Sequence, residues 1–354
     1  MEGMVKIKNI ENVNSCRRNF LRGSGSLLAS LPLFGCASQL SAGSSGSWFS
    51  VASMPYPVQE IYPALLGNSI HVAGGFAVVD GKPKPTNRHI AYSIADDAWS
   101  ELRALPEARH HVSLVNCANK LYALGGFAPG EVGTWNMQGQ TWRYDQQNDQ
   151  WQALTNAPEL HAESVSLAKD NLIHVIGGRT PKTELNRHWG DHIDSNRHLV
   201  FDAASNHWNV AAPAINARNS AAGCVIGDYL YVAGGRTVAG GNLAALEVYD
   251  AKEDRWFLAQ PLPEPQGALA AAEVNGELIA FGGESFGGPR GVGVYSEAWR
   301  YNPVQDAWLP LPAMQTPRHG LGAVAVADSV YAIGGATYVA TNGTSPVVEV
   351  LKIN

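Results

Sequence analysis

The sequence predicts an all-β protein, a six-bladed β-propeller, from two spacings that recur along its 354 residues. In six Gly-Gly pairs the second glycine lies 27 residues after a tryptophan. In five of the repeats an aromatic residue precedes the tryptophan by 7 positions. Self-similarity with a period of about 50 residues predicts propeller blades and leaves no room for a second domain. The tryptophans that set the period are Trp48, Trp99, Trp151, Trp208, Trp256 and Trp308.

Each repeat predicts four short strands, because apolar residues alternate with polar ones between turn residues. The second strand ends at the Gly-Gly, as in the segment LYALGG that ends at Gly126, and the fourth strand carries the tryptophan. We expect these glycines to have positive φ and to pack where a side chain would collide with the next blade. No lysine and helix pattern follows them, which argues against a phosphate-binding loop.

The two ends of the predicted propeller belong to one blade. After the last Gly-Gly, at Gly334 and Gly335, a single strand is predicted over 347–353, and the chain ends without another tryptophan. We expect the strand around Trp48 to supply the missing position, so that the last blade is closed by the N-terminal strand. Closure of the ring removes the exposed strand edges of an open array.

These spacings resemble the kelch repeat family over about 300 residues, from Trp48 to the C-terminus. The gaps between the second glycine and the next aromatic residue are 17, 18, 23, 14 and 18 residues, whereas the other connections are constant. In a four-stranded blade the connection between strands two and three opens on the same face as the connection between blades. We therefore expect a propeller over residues 47–354 whose function lies on this variable face, called here the loop face.

Residues 1–46 are predicted to be an export leader. The segment around Arg17 and Arg18 resembles a twin-arginine signal, and the apolar stretch that follows is too short to span a membrane. The segment ending at Cys36 resembles a bacterial lipobox, in which Cys36 would be acylated; ordinary cleavage near Ala42 is the alternative. We expect a periplasmic or envelope-anchored protein whose membrane contact, if any, is a lipid anchor.

Net charge restricts the expected partners, and the cysteine positions indicate whether a disulfide is expected. The net charge of the chain is −6, and residues 1–35 carry five basic and two acidic residues, so their loss leaves −9. This balance argues against a nucleic-acid partner. Cys117 and Cys224 fall on inner strands of blades that are not adjacent, and we expect buried free thiols. A monomer without a cofactor is expected, with a divalent metal as the exception considered below.

A first group of candidate residues begins ten positions after the tryptophans. We expect these side chains to lie around the mouth of the central channel, where guanidinium and imidazole groups could bind a carboxylate, phosphate or sulfate. The alternative is a structural role in bridging neighbouring loops. The candidate ligand-binding residues are Arg109, His110, His161, Arg218, Arg318 and His319, and Glu60, His111 and Glu163 stand at the twelfth position.

A second group lies in the longest variable connection, in blade three. His188, Asp191 and His192 could supply a zinc, iron or copper site, since imidazole and carboxylate groups suit these ions. The alternative is a polar loop that packs Trp189 on the loop face.

A third group resembles the active site of another kelch protein family. Glu284 follows a Gly-Gly, and Arg290 follows it by six residues, a pattern similar to that of the bacterial N-acetylneuraminate mutarotase (epimerase) family. The resemblance implies that Glu284 handles a proton at the anomeric hydroxyl or ring oxygen and that Arg290 holds the sugar carboxylate. Ring opening and closing of a sugar needs acid–base groups of this kind.

The function expected from the sequence is binding on the loop face of an exported propeller. The ligand is a small anionic or carbohydrate molecule, or a protein partner takes its place. A mutarotase acting on a sugar acid is the alternative, and a structural scaffold in the cell envelope without a small ligand is a further one.

Overall fold

The structure, a computed structural model, describes residues 46–288 and 290–353. The leader positions Arg17, Arg18 and Cys36 lie outside these residues. Within the described part the chain forms six four-stranded antiparallel sheets, arranged around a channel that is lined by the first strand of each. The predicted all-β six-bladed propeller is confirmed. Among the described residues, no helix has the length and apolar character needed to cross a membrane.

The strands of the first three blades follow the order expected from the sequence, from the channel outward. Blade 1 comprises Ala64–Leu66, Ser69–Ala73, His89–Ser93 and Ala98–Leu102. Blade 2 comprises Ser113–Cys117, Lys120–Leu124, Thr141–Asp145 and Gln150–Ala153. Blade 3 comprises Val165–Lys169, Leu172–Ile176, His198–Asp202 and His207–Val210.

The remaining blades repeat this arrangement, and the last one takes its outer strand from the N-terminus. Blade 4 comprises Ala222–Ile226, Tyr229–Ala233, Leu246–Asp250 and Arg255–Ala259. Blade 5 comprises Ala270–Val274, Glu277–Phe281, Ala298–Asn302 and Ala307–Leu311. Blade 6 comprises Gly322–Val326, Ser329–Ile333, Val348–Ile353 and Gly46–Ser50.

Short additional strands build up the loop face from the connections between strands two and three. In blade 1 these are Phe76–Val79 and Lys82–Pro85, joined by Val58–Gln59. The pairs in blades 2, 3 and 5 are Phe127–Ala128 with Asn136–Met137, Arg179–Pro181 with His192–Asp194, and Glu284–Phe286 with Val292–Val294. A single turn of 3₁₀ helix covers Trp189–Asp191.

Ring closure occurs where the sequence places it. Strand Gly46–Ser50 pairs antiparallel with Val348–Ile353, with Trp48 opposite Leu351. The indole Nε1 of Trp48 donates a hydrogen bond of 2.7 Å to the carbonyl oxygen of Pro312, in blade 5. The first described strand begins one residue before the predicted boundary at residue 47.

The Gly-Gly pairs are points of contact between neighbouring blades, as predicted. Gly125 and Gly126 have φ of +58° and +85°. A Cβ atom on Gly125 would lie 2.5 Å from the carbonyl oxygen of His161, which also accepts a hydrogen bond of 3.1 Å from Gly126 N. Backbone of the next blade therefore occupies the space that a side chain would need. The expectation of two buried free cysteines, Cys117 and Cys224, is also confirmed.

Candidate functional site: the loop-face cavity

A cavity of about 1140 Å³ opens on the loop face. The connection between strands two and three of every blade contributes to its lining: Phe76, Trp135, Trp189, Arg236, Glu284 and Ala340. This volume is in the range of a pocket for a small organic ligand or somewhat above it. The largest described cavity thus lies on the face that the variable connections indicated.

An unusual backbone conformation repeats six times beneath the cavity, and two of the residues that adopt it, Glu60 and His111, line the cavity. The residue twelve positions after each tryptophan has φ between +50° and +56°, and only one of the six is a glycine. These residues are Glu60, His111, Glu163, Ser220, Ala268 and Gly320. Five of the six consecutive pairs are joined by a backbone hydrogen bond, for example from His111 N to Glu60 O at 3.1 Å and from Glu60 N to Gly320 O at 2.7 Å.

This ring brings charged side chains together beneath the cavity. A non-glycine residue with positive φ carries strain of about 1–3 kcal/mol, and such strain persists where the surrounding structure fixes it, often at functional sites. The side chains of Glu60, His111 and Glu163 are buried and close together: Glu60 contacts His111 at 2.8 Å, and the charge of His111 acts on the carboxyl of Glu163. We call this group, together with Arg236, Glu284 and His319, the floor cluster.

Glu284 lies in the floor cluster with its carboxylate fully engaged. It is 1% exposed and forms an ion pair with Arg236. Its Oε2 accepts a hydrogen bond of 2.8 Å from Ala340 N, and its Oε1 lies 3.4 Å from His319 Nδ1. Arg236 is therefore the cation that pairs with Glu284, the residue for which the sequence resemblance implied a proton-handling role.

Glu163 is the second buried carboxylate of the floor. Its oxygens accept a hydrogen bond of 2.7 Å from Ser220 Oγ and lie 3.4 Å from Arg179 Nη1. Burial alone would raise its pKa, but the charges of His111, Arg179 and Arg236 hold the pKa of Glu163 below its ordinary value. Arg179 in turn stacks over Trp189, with the guanidinium carbon 4.1 Å from the ring centroid.

Arg290 lines the cavity at its rim, apart from Glu284. Its guanidinium forms ion pairs of 2.7 Å with both Glu264 and Glu297, and it lies over the ring of Tyr295 at 4.2 Å. The structure thus places both residues of the mutarotase-like pattern on one cavity. Neither cation, Arg236 or Arg290, is without a carboxylate partner.

The placement expected for Arg109, Arg218 and Arg318 at the channel mouth is wrong. All three side chains are at most 2% exposed. Each donates a hydrogen bond to the carbonyl oxygen of the first glycine of its own blade's Gly-Gly pair, and Gln266 does the same at the equivalent position of blade 5. Arg218 and Arg318 also pair with the buried carboxylates of Glu247 and Glu349. Their guanidinium groups form hydrogen bonds inside the blades and do not line the loop-face cavity.

The three histidines of the same group are also buried, at different depths. His161 lies against Gly125, and burial lowers its pKa to about 4, so it is neutral at pH 7 and offers no charge to an anion. His110 lies directly behind the floor cluster, to which His319 belongs. His110 bonds to His111, and His319 Nε2 donates 2.9 Å to the carbonyl oxygen of Tyr338.

The blade-three connection does not assemble the predicted metal ligands. Asp191 Oδ2 accepts hydrogen bonds of 2.9 Å from the backbone N of Arg187 and of His188. His192 is buried with its Nε2 3.0 Å from Asn186 Oδ1, whereas His188 is exposed. Among residues 46–288 and 290–353, no three histidine, cysteine or acidic side chains converge as metal ligands. The alternative from the sequence, with Trp189 on the loop face, matches the observed lining.

Aromatic side chains form the upper walls of the cavity. Trp135 packs against Phe76 at 6.2 Å between centroids and against Phe127 at 5.0 Å. Phe286 and Trp189 are 55% and 41% exposed. Flat apolar walls above a polar floor suit a ligand with both apolar faces and hydroxyl groups, such as a carbohydrate.

Arg236 and Trp135 line the cavity but are not among the site residues expected from the sequence. Arg236 directly follows a Gly-Gly pair, at the position held by Phe76, Phe127, Arg179, Glu284 and Ala336 in the other blades. Each of these residues bridges to the residue eleven positions after a tryptophan, as Arg236 does to Asn219. Three of the six residues at this position, Phe76, Arg236 and Glu284, line the cavity, so the position after the glycines was a sequence signal for Arg236.

Comparison with known sequences agrees with this architecture. A family model described as the Attractin/LZTR1 beta-propeller matches residues 70–344. Kelch-like protein terF of Aspergillus terreus is 26% identical over 320 residues, which cover 87% of this chain and 68% of that protein. Beta-scruin of Limulus polyphemus is 27% identical over 220 residues, covering 61% of this chain and 24% of that protein.

Two further comparisons concern length and fold. Kelch-like protein 40 of Xenopus tropicalis is 24% identical over 289 residues, covering 79% of this chain and 44% of that protein, so the match spans less than half of that protein and of beta-scruin. A solved structure described as the structure of YjhT matches with a TM-score of 0.70 at 18% identity. The match covers 83% of this chain and 94% of that chain. At this identity the likeness concerns the fold.

Proposed function

Since the chain belongs to the Attractin/LZTR1 β-propeller family of kelch-type propellers, we propose that it is an exported propeller that binds a small carbohydrate in its loop-face cavity. One observation carries the proposal: a cavity of about 1140 Å³ combines aromatic walls with a buried floor of carboxylate, imidazole and guanidinium groups. Ligand sites are concave and mostly apolar, with a few placed polar groups of this kind.

The charges of the lining favour a neutral sugar over a strong anion. Three carboxylates, Glu60, Glu264 and Glu284, line the cavity with two guanidinium groups, Arg236 and Arg290. Both guanidinium groups are already paired with carboxylates. An anionic ligand that bound Arg236 would have to displace Glu284, and leaving this buried carboxylate unpaired is costly. At the rim it would compete with the partly exposed carboxylates of Glu264 and Glu297 for Arg290.

Replacing Trp135 with alanine is expected to abolish the stabilisation of the mature protein by its sugar. A ligand present at about 100 times its Kd adds about 2.7 kcal/mol to the free energy of unfolding. The measurement is a thermal-shift screen of neutral sugars, sugar acids and divalent metals. Trp151→Ala, an outer-strand tryptophan of the same blade, is the matched control and should keep the ligand-induced shift.

The outcomes of this screen separate the candidate functions. A thermal shift with neutral sugars that is lost in Trp135→Ala supports the proposal. A thermal shift with sugar acids alone would instead support an anionic ligand. No shift across the whole panel would contradict the proposal and favour a protein partner or a scaffold.

Export is supported by the leader alone. The twin-arginine-like segment and the lipobox-like segment both precede Gly46, where the propeller begins, so either cleavage leaves the ring intact. Fractionation of cells that express the full chain tests this part of the proposal. Recovery of the uncleaved protein in the cytoplasm would contradict it.

A sugar-acid mutarotase is the second candidate, and the position of Glu284 favours it. Glu284 lines the cavity and lies beside Arg236 and His319. If it handles a proton during ring opening, Glu284→Gln should slow the interconversion of sialic acid anomers by about 100-fold or more, as followed by NMR. An unchanged rate in this variant would exclude the role.

A further inference from the structure

A chain of three hydrogen bonds runs from a backbone carbonyl to the floor of the cavity. His110 Nε2 lies 2.8 Å from the carbonyl oxygen of Thr134. The Nδ1 atoms of His110 and His111 lie 2.6 Å apart, and His111 Nε2 lies 2.8 Å from Glu60 Oε2. Each of these contacts is within hydrogen-bond distance, so each needs one proton.

The three contacts need one more proton than two neutral imidazoles and a carboxylate supply. A carbonyl oxygen only accepts, so His110 Nε2 carries a hydrogen. One of the two facing Nδ1 atoms carries a second, and a third lies between His111 and Glu60. Two neutral imidazoles supply only two protons. The three side chains therefore hold one more, either as an imidazolium beside a carboxylate or as a protonated Glu60 beside a neutral His111.

The packing fixes this chain in place. The ring of His110 is stacked between Phe76 and Phe127, with centroids 3.9 Å and 5.0 Å away. His110 and His111 are at most 3% exposed. Burial, and then the neighbouring His111, lower the pKa of His110, which places the additional proton nearer to Glu60.

The charged groups around Glu60 favour its ionised form. Burial alone would raise its pKa, but His111, His319 and Arg236 lower it below the ordinary value. His319 Nδ1 lies 3.8 Å from Glu60 Oε1 and has no hydrogen-bond partner among the described residues. Burial raises the pKa of Tyr62, with further contributions from Glu60 and Glu163, so its hydroxyl stays protonated at neutral pH.

Among the hydrogen-bonded residues His110, His111 and Glu60, Glu60 is the one that a ligand can contact. Glu60 and His111 both line the cavity, but both ring nitrogens of His111 are occupied. Glu60 Oε1 accepts no hydrogen bond within 3.5 Å from the described residues, and Glu60 is 8% exposed. A ligand hydroxyl at the floor would meet this oxygen.

We propose that Glu60, His111 and His110 form a general acid–base centre, in which Glu60 exchanges a proton with an oxygen of the bound ligand. His111 stores the proton and His110 positions His111. In the forward step the centre donates one proton to the ring oxygen of the sugar as the bond from that oxygen to the anomeric carbon breaks, the anomeric hydroxyl releases its proton to water, and the centre is left with a carboxylate and two neutral imidazoles. The reverse step restores it, and no electron or other atom is transferred. The exchange of a proton with a ligand oxygen rests on the proposed function, whereas the storage of a proton by Glu60, His111 and His110 does not depend on it.

The stored proton is tested first, without any ligand, on the mature protein labelled with ¹⁵N-histidine. At pH 7.5 we expect long-range ¹H–¹⁵N spectra to show His111 with a protonated Nδ1 and His110 with a protonated Nε2. Signals are assigned with His110→Gln and His111→Gln. Two neutral rings that are both protonated only at Nε2 would overturn the proposal, whether or not a sugar binds.

Proton exchange with the ligand is tested with the reducing sugar that gives the largest thermal shift. Wild-type protein should accelerate interconversion of its anomers, and Glu60→Gln should slow this reaction by about 100-fold or more while the sugar still stabilises the protein. Glu277→Gln, an acidic residue outside the cavity, should behave as the wild type. A bound sugar whose anomers the wild type does not accelerate, or a Glu60→Gln rate equal to the wild-type rate, would overturn the acid–base role.

Discussion

Replacing Arg318 with alanine is expected to lower the free energy of unfolding by about 3–5 kcal/mol and to leave ligand binding in the cavity intact. The guanidinium of Arg318 lies 2.9 Å from the carboxylate of Glu349, and both side chains are at most 1% exposed. It also donates 2.8 Å to the carbonyl oxygen of Val347. The substitution would leave a buried carboxylate and buried carbonyl oxygens without partners, and the cost of such orphaned groups is high.

The measurement is the urea midpoint of the mature protein together with its sugar-induced thermal shift. The double variant Arg318→Met, Glu349→Leu removes both charges, so it should be more stable than Arg318→Ala, because apolar replacement of a buried ion pair is often neutral. An Arg318→Ala protein with wild-type stability and no ligand-induced shift would contradict this structural role. That result would support the placement at the channel mouth expected from the sequence.

Replacing Trp48 with alanine is expected to cost about 3–5 kcal/mol and to loosen the closure of the ring. Trp48 is 7% exposed and packs edge-on against Phe281, with the ring centroids 5.6 Å apart. Its Nε1 donates a hydrogen bond of 2.7 Å to the carbonyl oxygen of Pro312. Its strand is held in blade 6 by pairing with Val348–Ile353. The backbone connects this strand to the other strands of blade 6 only through the five blades in between. Loss of the side chain therefore frees a terminal segment, the kind that opens most readily.

Trp208→Ala provides the matched control for this prediction. Trp208 is also 7% exposed and donates 3.0 Å to the carbonyl oxygen of Thr155, but its strand is continuous with its own blade 3. Hydrogen exchange should show selective loss of protection over Val348–Ile353 in Trp48→Ala and not in Trp208→Ala. Equal protection of this strand in the two variants would contradict closure by the N-terminal strand.

The fold was predictable because its determinants repeat. Gly126 had to be glycine, since backbone of the neighbouring elements lies within 3 Å of where its Cβ would be, and the same requirement recurs in every blade. Trp48 was identifiable as the closing residue because it completes a count of six. A requirement that recurs six times at constant spacing can be recognised without coordinates.

The candidate site was only partly predictable. Glu284 and Arg290 were selected from the sequence and lie on the cavity, whereas Arg318 was selected for its charge and is buried. Residue type and spacing show which position in a blade a side chain holds. Residue type and spacing do not show which acidic side chain a long guanidinium group will contact. Arg318 contacts Glu349 because strand pairing in blade 6 places Glu349 beside it.

The sequence by itself determined the number of blades, the closure of the ring and the face that carries the variable connections, because these depend on local spacing and on backbone packing that tolerates no side chain. Only the tertiary structure decided which charged groups meet. Glu60 and His111 are 51 positions apart in the chain, and their contact depends on two left-handed backbone conformations joined by a hydrogen bond between blades. Short-range electrostatic contacts depend on distances of a few ångströms, which are set when the ring closes.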